Sequence, residues 1–223
     1  MIADLMPEGV AVAESFGDPP DARLFPGEEA AVRNAVDERR REYTTVRHLA
    51  RRAMVDLGLP AVAVLSGDRH EPLWPSGVVG SMTHCLGYRA AALTLDDRHA
   101  SIGIDAERHA PLPRGVLTKI ASPAEVPHLA ALGAGHPEVH WETLLFSAKE
   151  AVYKAWYPLA GGSLGFQETE LDFDPGSDVF TAVLRRTGPV VAGRPLSRMT
   201  GRWYVHDGLI FSAVTVDRAA ARA

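Results

Sequence analysis

Lysine and cysteine are scarce in this chain, and there is no excess of positive charge. Only three of the 23 Lys and Arg residues are lysines, namely Lys119, Lys149 and Lys154, and Cys85 is the single cysteine. One cysteine excludes a disulfide framework and a cysteine-rich zinc site. The formal net charge of −5 argues against a general nucleic-acid binder, and no apolar run is long enough to span a membrane.

The N-terminal stretch lacks the features of a secretion signal. Residues 1–14 contain acidic residues and no Lys or Arg, whereas a signal peptide begins with positive charge. The composition, 46% hydrophobic and 23% charged, is that of a folded protein, and 223 residues allow one large domain or two small ones. We therefore expect a cytoplasmic protein with neither a membrane partner nor a nucleic-acid partner.

A long helix is predicted after Pro26. Apolar residues recur there at every third or fourth position until Gly58 and Pro60, which end the helix. Its polar side is rich in arginine: Arg39, Arg40, Arg41, Arg47, Arg51 and Arg52. Charge runs on helices are usually solvated, which is the expectation for Arg41, Arg51 and Arg52.

The rest of the chain alternates between short strands and helices. A capping-box pattern predicts a helix over 122–132, and an apolar stripe predicts a longer one over 137–159. Predicted strands cover 9–14, 61–65, 78–83, 89–95, 101–105, 166–173, 179–185, 198–205 and 209–216. The order of a helix followed by a sheet occurs twice along the chain. This order predicts an α+β fold of two pseudo-symmetric lobes, 1–108 and 109–223, each with a small antiparallel sheet. The tail 218–223 is expected to fray.

Two carboxylates lie at the end of one predicted strand. Asp105 and Glu107 would face one side, because alternate residues of a strand share a face, while Ile104 and Ala106 would point into the core. Two convergent carboxylates suit a hard cation such as Mg²⁺. An isolated pair of this kind is also typical of a solvated strand end.

The helix predicted over 137–159 places Glu150 and Lys154 on one face, four residues apart. Such a pair is often an ordinary surface ion pair. The scarcity of lysine argues against that interpretation, since this chain normally uses arginine as its cation. Lysine is a compact charge that can approach a phosphate oxygen and exchange a proton.

Two further segments could bind phosphate. Thr83 and His84 end a predicted strand, where hydroxyl and imidazole groups can meet phosphate oxygens, although a turn histidine without a role is an equal alternative. Arg39 and Arg47 belong to an arginine cluster of the kind that holds phosphates through paired hydrogen bonds. Cys85 is expected to be a buried apolar residue rather than a nucleophile paired with the adjacent histidine, because neighbours on a strand face opposite sides.

These pieces together resemble one family, the 4′-phosphopantetheinyl transferases that serve siderophore, polyketide and nonribosomal peptide synthesis. The matching stretches are Arg39-Arg40-Arg41-Glu42-Tyr43 with Arg47, Trp74-Pro75-Ser76-Gly77 through Gly80-Ser81-Met82-Thr83-His84-Cys85, Ser101-Ile102-Gly103-Ile104-Asp105-Ala106-Glu107, and Phe146-Ser147-Ala148-Lys149-Glu150 to Lys154. They follow the family's order and extend from about residue 25 to 160, with the acid pair preceding the Lys-Glu-x-x-x-Lys helix.

The resemblance implies a reaction and its reactants. The phosphopantetheine arm of coenzyme A would move to a serine hydroxyl of an apo acyl carrier or peptidyl carrier protein, releasing adenosine 3′,5′-bisphosphate. Mg²⁺ would be the metal, with Mn²⁺ as an alternative. The active site would lie in the cleft between the two lobes, and a cleft completed within one chain favours a monomer.

The resemblance also implies residue roles. The metal set would be Asp105, Glu107 and Glu150, with Glu150 also the general base. Lys154 would hold the pyrophosphate and stabilise the leaving oxygen. Arg39, Arg47 and the loop 66–69, through Ser66, Gly67 and Arg69, would hold the adenosine end and its 3′-phosphate, and Thr83 and His84 would contact the nucleotide phosphates. This loop carries one cation, Arg69, so its share of phosphate binding is open.

Two other functions fit part of the sequence. A metal-dependent nuclease would share the acids but would need a basic substrate groove. A non-catalytic coenzyme A or carrier-binding module would tolerate the loss of Glu150, so the intact set of Asp105, Glu107, Glu150 and Lys154 favours an enzyme.

Overall fold

The computed structural model describes residues 1–218, so the predicted tail beyond Arg218 lies outside the described residues. The helices of this part are α1 (Ile2–Leu5), α2 (Asp37–Asp56), α3 (Leu117–Ile120), α4 (Glu125–Gly135) and α5 (Trp141–Ala160), with 3₁₀ turns at Glu28–Val32 and Phe166–Glu168. Its strands are β1 (Ala11–Phe16), β2 (Leu65–Ser66), β3 (Pro72–Leu73), β4 (Val78–Cys85), β5 (Tyr88–Leu95), β6 (His99–Arg108), β7 (Thr169–Asp174), β8 (Val179–Leu184), β9 (Val190–Val191), β10 (Arg194–Pro195), β11 (Arg198–His206) and β12 (Leu209–Asp217). No helix among these residues is long and apolar enough to cross a membrane.

Two antiparallel sheets carry the fold, in the orders β1-β5-β4 and β6-β12-β11-β8-β7. Helix α2 packs on the first sheet and α5 on the second. The predicted α+β class is therefore confirmed. Strand β6, which the predicted division at residue 108 assigns to the first lobe, pairs with β12 and forms an edge of the second sheet. The division itself stays a prediction.

Helix α2 begins later than predicted, at Asp37 instead of just after Pro26. The preceding segment contains a separate 3₁₀ turn in which the Glu28 carboxylate lies in the interior and accepts hydrogen bonds from Arg51 Nη1 at 2.7 Å and from the Val64 amide at 2.8 Å. Val36, at the N-cap of α2, has an extended backbone with φ −64° and ψ 157°, so the 3₁₀ turn at Glu28–Val32 does not continue into α2. The prediction that Arg51 is solvated is wrong, since its charge is buried against Glu28.

The predicted strand 61–65 is reduced to Leu65–Ser66. Side chains of other segments use the backbone groups of Val64, since its amide donates to Glu28 and its carbonyl accepts from Arg47 Nε at 2.9 Å. Both groups are thereby removed from strand pairing.

The capping box before α4 is half formed. Glu125 accepts a hydrogen bond from the Ser122 amide at 2.7 Å, while the Ser122 hydroxyl has no partner within residues 1–218. Helix α5 runs from Trp141 to Ala160 and is followed by Gly161, whose positive φ suits a helix terminus.

A shared apolar core joins the sheets. It is built from β5, β6 and β12 and is completed by Ile2 and Leu5 of α1. On the opposite face of β6, Gly103 allows α5 to lie directly on the strand, because a Cβ at this position would collide with the Ala151 carbonyl oxygen. This close contact places the middle of α5 beside the acid pair of β6.

Candidate active site

A cavity of about 830 Å³ is lined by residues from both parts of the chain. The predicted site residues on its wall are Arg39, Arg47, Ser66, Arg69, Thr83, His84, Asp105 and Lys154. Glu150 lines a neighbouring pocket of about 150 Å³, and Tyr153 lies on both walls. Gly67 and Glu107 line neither of these two cavities.

The acid pair has the predicted alternation. Ile104 and Ala106 pack in the core shared by the two sheets, whereas Asp105 lies on the face of β6 that contacts α5. Lys154 of α5 reaches this face, and its Nζ donates to Asp105 Oδ1 at 2.7 Å and to the Ile104 carbonyl at 3.0 Å. The ion pair connects the helix to the edge of the second sheet.

The three predicted acids influence one another. Burial and then repulsion from Asp105 raise the pKa of Glu107 to about 7, with a smaller contribution from Glu150. Burial also raises the pKa of Glu150, against the attraction of Lys154. Three carboxylates therefore share the field of one lysine, an arrangement that favours a further cation.

The acids fit Mg²⁺, although no three Asp, Glu, His or Cys side chains in residues 1–218 converge into a ready-made metal cluster. Asp105 Oδ2 is buried and has no hydrogen-bond partner among the described residues. An unpaired buried carboxylate oxygen is costly unless a cation meets it. Oxygen donors are also the ligands that Mg²⁺ prefers.

Arg47 is held in a fixed orientation at the cavity wall. Its Nη2 donates to Ser66 Oγ at 2.9 Å, and its guanidinium lies 3.2 Å from the ring centre of Tyr43. Burial lowers the pKa of Arg47 to about 10, so the side chain is still a cation at neutral pH. A fixed, partly desolvated guanidinium suits the recognition of a phosphate group.

His84 lies between a cation and an acid. Its Nε2 is 2.5 Å from Arg39 Nη1, and its Nδ1 is 3.3 Å from Glu42 Oε2. Burial and then the charge of Arg39 lower the pKa of His84 to about 4, so the ring is neutral near pH 7. A neutral ring is consistent with Nε2 accepting a hydrogen bond from Arg39.

Two family models cover most of the chain. Residues 27–94 match the 4′-phosphopantetheinyl transferase N-terminal domain, and residues 101–193 match the 4′-phosphopantetheinyl transferase superfamily. The 4′-phosphopantetheinyl transferase Svp of Streptomyces mobaraensis is 50% identical over 226 residues, which span 100% of this chain and 92% of Svp. This chain belongs to the 4′-phosphopantetheinyl transferase family.

Other relatives match over nearly their full length. The 4′-phosphopantetheinyl transferase Npt of Nocardia iowensis is 44% identical over 96% of this chain and 99% of Npt. PptT of Mycobacterium tuberculosis, also named a 4′-phosphopantetheinyl transferase, is 41% identical over 97% of this chain and 98% of PptT. The predicted family and the prediction of an enzyme are confirmed.

Two residues that were not predicted lie beside the predicted site residues. Glu42 contacts His84 and also lies 3.8 Å from Arg89 Nη2, so it balances charges behind the cavity wall. Glu42 belongs to the first matching stretch, which was the available signal. Tyr153 follows Glu150 by three residues on α5 and lines the same pocket. Helical spacing was the available signal, because residues three apart lie on one face of a helix.

Cys85 differs from its prediction, because it is half-buried rather than fully buried. Burial nevertheless raises the pKa of the Cys85 thiol to about 12, so the group is protonated near neutral pH. A protonated thiol is a poor nucleophile, which agrees with the expectation that Cys85 takes no part in covalent chemistry.

Proposed function

We propose that this transferase moves the 4′-phosphopantetheine group from coenzyme A to a serine hydroxyl of an apo acyl carrier or peptidyl carrier protein, releasing adenosine 3′,5′-bisphosphate. The observation that carries the proposal is a single cavity whose wall holds Arg39, Arg47, Asp105 and Lys154. The cations of this wall would bind a phosphate-rich substrate, and its acid would bind the metal ion that accompanies the phosphates. The protein would act in the cytoplasm, and it would act as a monomer, since both parts of the wall come from one chain.

The nucleotide end of coenzyme A is assigned to the first part of the chain. Arg39, Arg47 and the loop with Ser66, Gly67 and Arg69 would hold the adenosine and its 3′-phosphate. The fixed guanidinium of Arg47 supports this assignment, because an oriented donor loses little side-chain entropy on binding. His84 would lie beside the nucleotide phosphates; Thr83 lines the same cavity next to it.

The reacting end is assigned to β6 and α5. Asp105, Glu107 and Glu150 would hold Mg²⁺, with Mn²⁺ as the alternative; when bound, the metal neutralises charge on the pyrophosphate. The unpaired Asp105 Oδ2 and the mutual repulsion of the acids support this assignment.

Glu150 and Lys154 would carry the proton and charge changes. Glu150 would accept the proton of the serine hydroxyl, whose oxygen forms the new bond to the β-phosphorus as the pyrophosphate bond breaks. A raised pKa makes Glu150 a better proton acceptor than an exposed glutamate. Lys154 would stabilise the negative charge on the departing phosphate oxygen.

The test uses mass spectrometry of the acceptor. The protein is incubated with coenzyme A, Mg²⁺ and several apo carrier proteins, and each carrier is weighed for the added phosphopantetheine group. Glu150→Gln should abolish the mass gain, whereas Glu142→Gln, an exposed control on the same helix, should retain it. A folded protein that binds coenzyme A but modifies no carrier would instead be a non-catalytic binding module.

A further inference from the structure

Hydroxyl groups join the two sheets where β4 lies beside the edge strand β6. The Ser81 hydroxyl accepts a hydrogen bond from the Ile104 amide at 3.1 Å, and the Thr83 hydroxyl accepts one from the Ala106 amide at 3.0 Å. Both hydroxyl residues are buried, each 3% exposed. Buried amides need partners, so these two side chains take the place of a backbone ladder between the sheets.

Thr83 makes one contact that Ser81 lacks in the described part of the chain. Its Oγ1 lies 3.3 Å from Asp105 Oδ1. A threonine hydroxyl has one hydrogen to donate, and a carboxylate oxygen accepts it. Because the Ala106 amide uses a lone pair of the same oxygen, the hydrogen is free to point at Asp105. It is then not available to a phosphate oxygen, which is also an acceptor.

The same carboxylate oxygen also receives Lys154. The Lys154 ammonium is 2.7 Å from Asp105 Oδ1, so both donors lie on one side of the carboxylate. Asp105 Oδ2 is buried and has no hydrogen-bond partner within residues 1–218. A carboxylate fixed through one oxygen presents its other oxygen in a defined direction, as the groups behind metal ligands commonly do.

We propose that Thr83 is a positioning residue for Asp105, holding Oδ1 so that Oδ2 is presented to the metal, instead of contacting the nucleotide phosphates. The inference rests on the proposed function, because it takes Asp105 as a metal ligand. The Thr83 hydroxyl thus has two roles: it forms a hydrogen bond between the two sheets, and it orients a carboxylate of the site.

The experiment measures metal affinity without turnover. Mg²⁺ is titrated by calorimetry into protein saturated with coenzyme A and lacking any carrier, and coenzyme A affinity is measured separately in EDTA. Thr83→Val should weaken Mg²⁺ binding about 10- to 100-fold, while coenzyme A affinity in EDTA stays within about twofold. Thr83→Ser, which keeps the hydroxyl, should restore most of the Mg²⁺ affinity.

Ser81→Ala is the matched control. It removes a comparable hydrogen bond between the two sheets, made by a side chain that has no hydrogen bond to Asp105 in the described part of the chain. It should leave Mg²⁺ affinity unchanged. If Thr83→Val fails to fold, Thr83→Ala gives the same comparison, since the smaller side chain leaves room for water at the Ala106 amide.

The outcomes separate the inference from the proposed function. Unchanged Mg²⁺ affinity in Thr83→Val or Thr83→Ala would overturn the positioning role, and loss of coenzyme A affinity in EDTA would show a nucleotide contact instead. Asp105→Ala is measured in parallel. If it also leaves Mg²⁺ affinity intact, the metal assignment itself fails; if it abolishes binding while Thr83→Val does not, only the role of Thr83 fails.

Discussion

Lys149 Nζ lies 2.8 Å from Glu125 Oε2, and both side chains are almost fully buried. Three backbone carbonyls complete the surroundings of the ammonium, from Ile120 at 2.8 Å, Phe166 at 2.7 Å and Thr169 at 2.9 Å. The contacts of the Lys149 ammonium therefore hold the segments before α4 and β7 against α5. Of the two lysines on this helix, Lys149 serves the interior and Lys154 the cavity.

Replacing Lys149 by methionine should lower the free energy of unfolding by about 3–5 kcal/mol, because Glu125 and three carbonyls would lose a buried partner. Urea denaturation measures the change. Lys119→Met is the control, since Lys119 is exposed and its replacement should cost less than about 0.5 kcal/mol. Equal stabilities of the two variants would contradict a structural role for the buried ammonium.

Gly103→Ala should separate α5 from β6. The added Cβ would meet the Ala151 carbonyl, so the helix must shift and carry Glu150 and Lys154 away from Asp105. We expect a loss of about 1–3 kcal/mol in stability and a fall of about 100-fold in kcat. Carrier modification and urea denaturation measure the two effects.

Gly133→Ala on α4 is the control for that substitution. A Cβ there meets no atom within 4 Å beyond its own chain neighbours and the nearby helix backbone, among the described residues, so activity should persist and stability should rise by up to about 1 kcal/mol. Full activity of Gly103→Ala would mean that the contact between helix and strand does not set the geometry of the site.

Local patterns were sufficient for much of the fold. The apolar stripe over 137–159 predicted α5 closely, and the strands predicted over 198–205 and 209–216 correspond to β11 and β12. What failed depends on distant contacts. Glu28, in the segment before α2, is buried against Arg51, and neither residue differs from a surface charge in its local sequence.

The candidate site divides in the same way. Alternation along β6 and the four-residue spacing on α5 were enough to predict that Asp105 and Lys154 would each face a site. Their direct ion pair, and the Thr83 contact behind it, depend on how β6 packs against β4 and α5. Sequence spacing within one element cannot give such contacts between elements.

Arg47→Lys should weaken coenzyme A binding while leaving the chemical step intact. Lysine cannot keep the paired contacts to the Val64 carbonyl and Ser66 or the flat stacking on Tyr43. We expect KM for coenzyme A to rise about tenfold, equivalent to about 1.4 kcal/mol, with kcat changed less than about threefold.

Steady-state rates at a saturating carrier concentration measure both constants for Arg47→Lys. Arg52→Lys, an exposed position on the same helix, is the control and should match the unmodified protein. An unchanged KM in Arg47→Lys would remove this residue from the nucleotide site.

His84 should make stability sensitive to acid. Burial and the charge of Arg39 lower the pKa of His84 to about 4 from the ordinary value of 6.5, so between these values the unfolded chain binds a proton that the folded chain does not. The contribution of neutral His84 to stability is therefore complete above pH 6.5 and is lost as the pH falls towards 4.

His84→Gln should reduce the pH slope of the unfolding free energy in this window by at most about 1.4 kcal/mol per pH unit. Urea denaturation at pH 7, 6 and 5 measures the slope, and His206→Gln at an exposed position is the control. Identical slopes for the unmodified protein and both variants would contradict a neutral, partly buried His84.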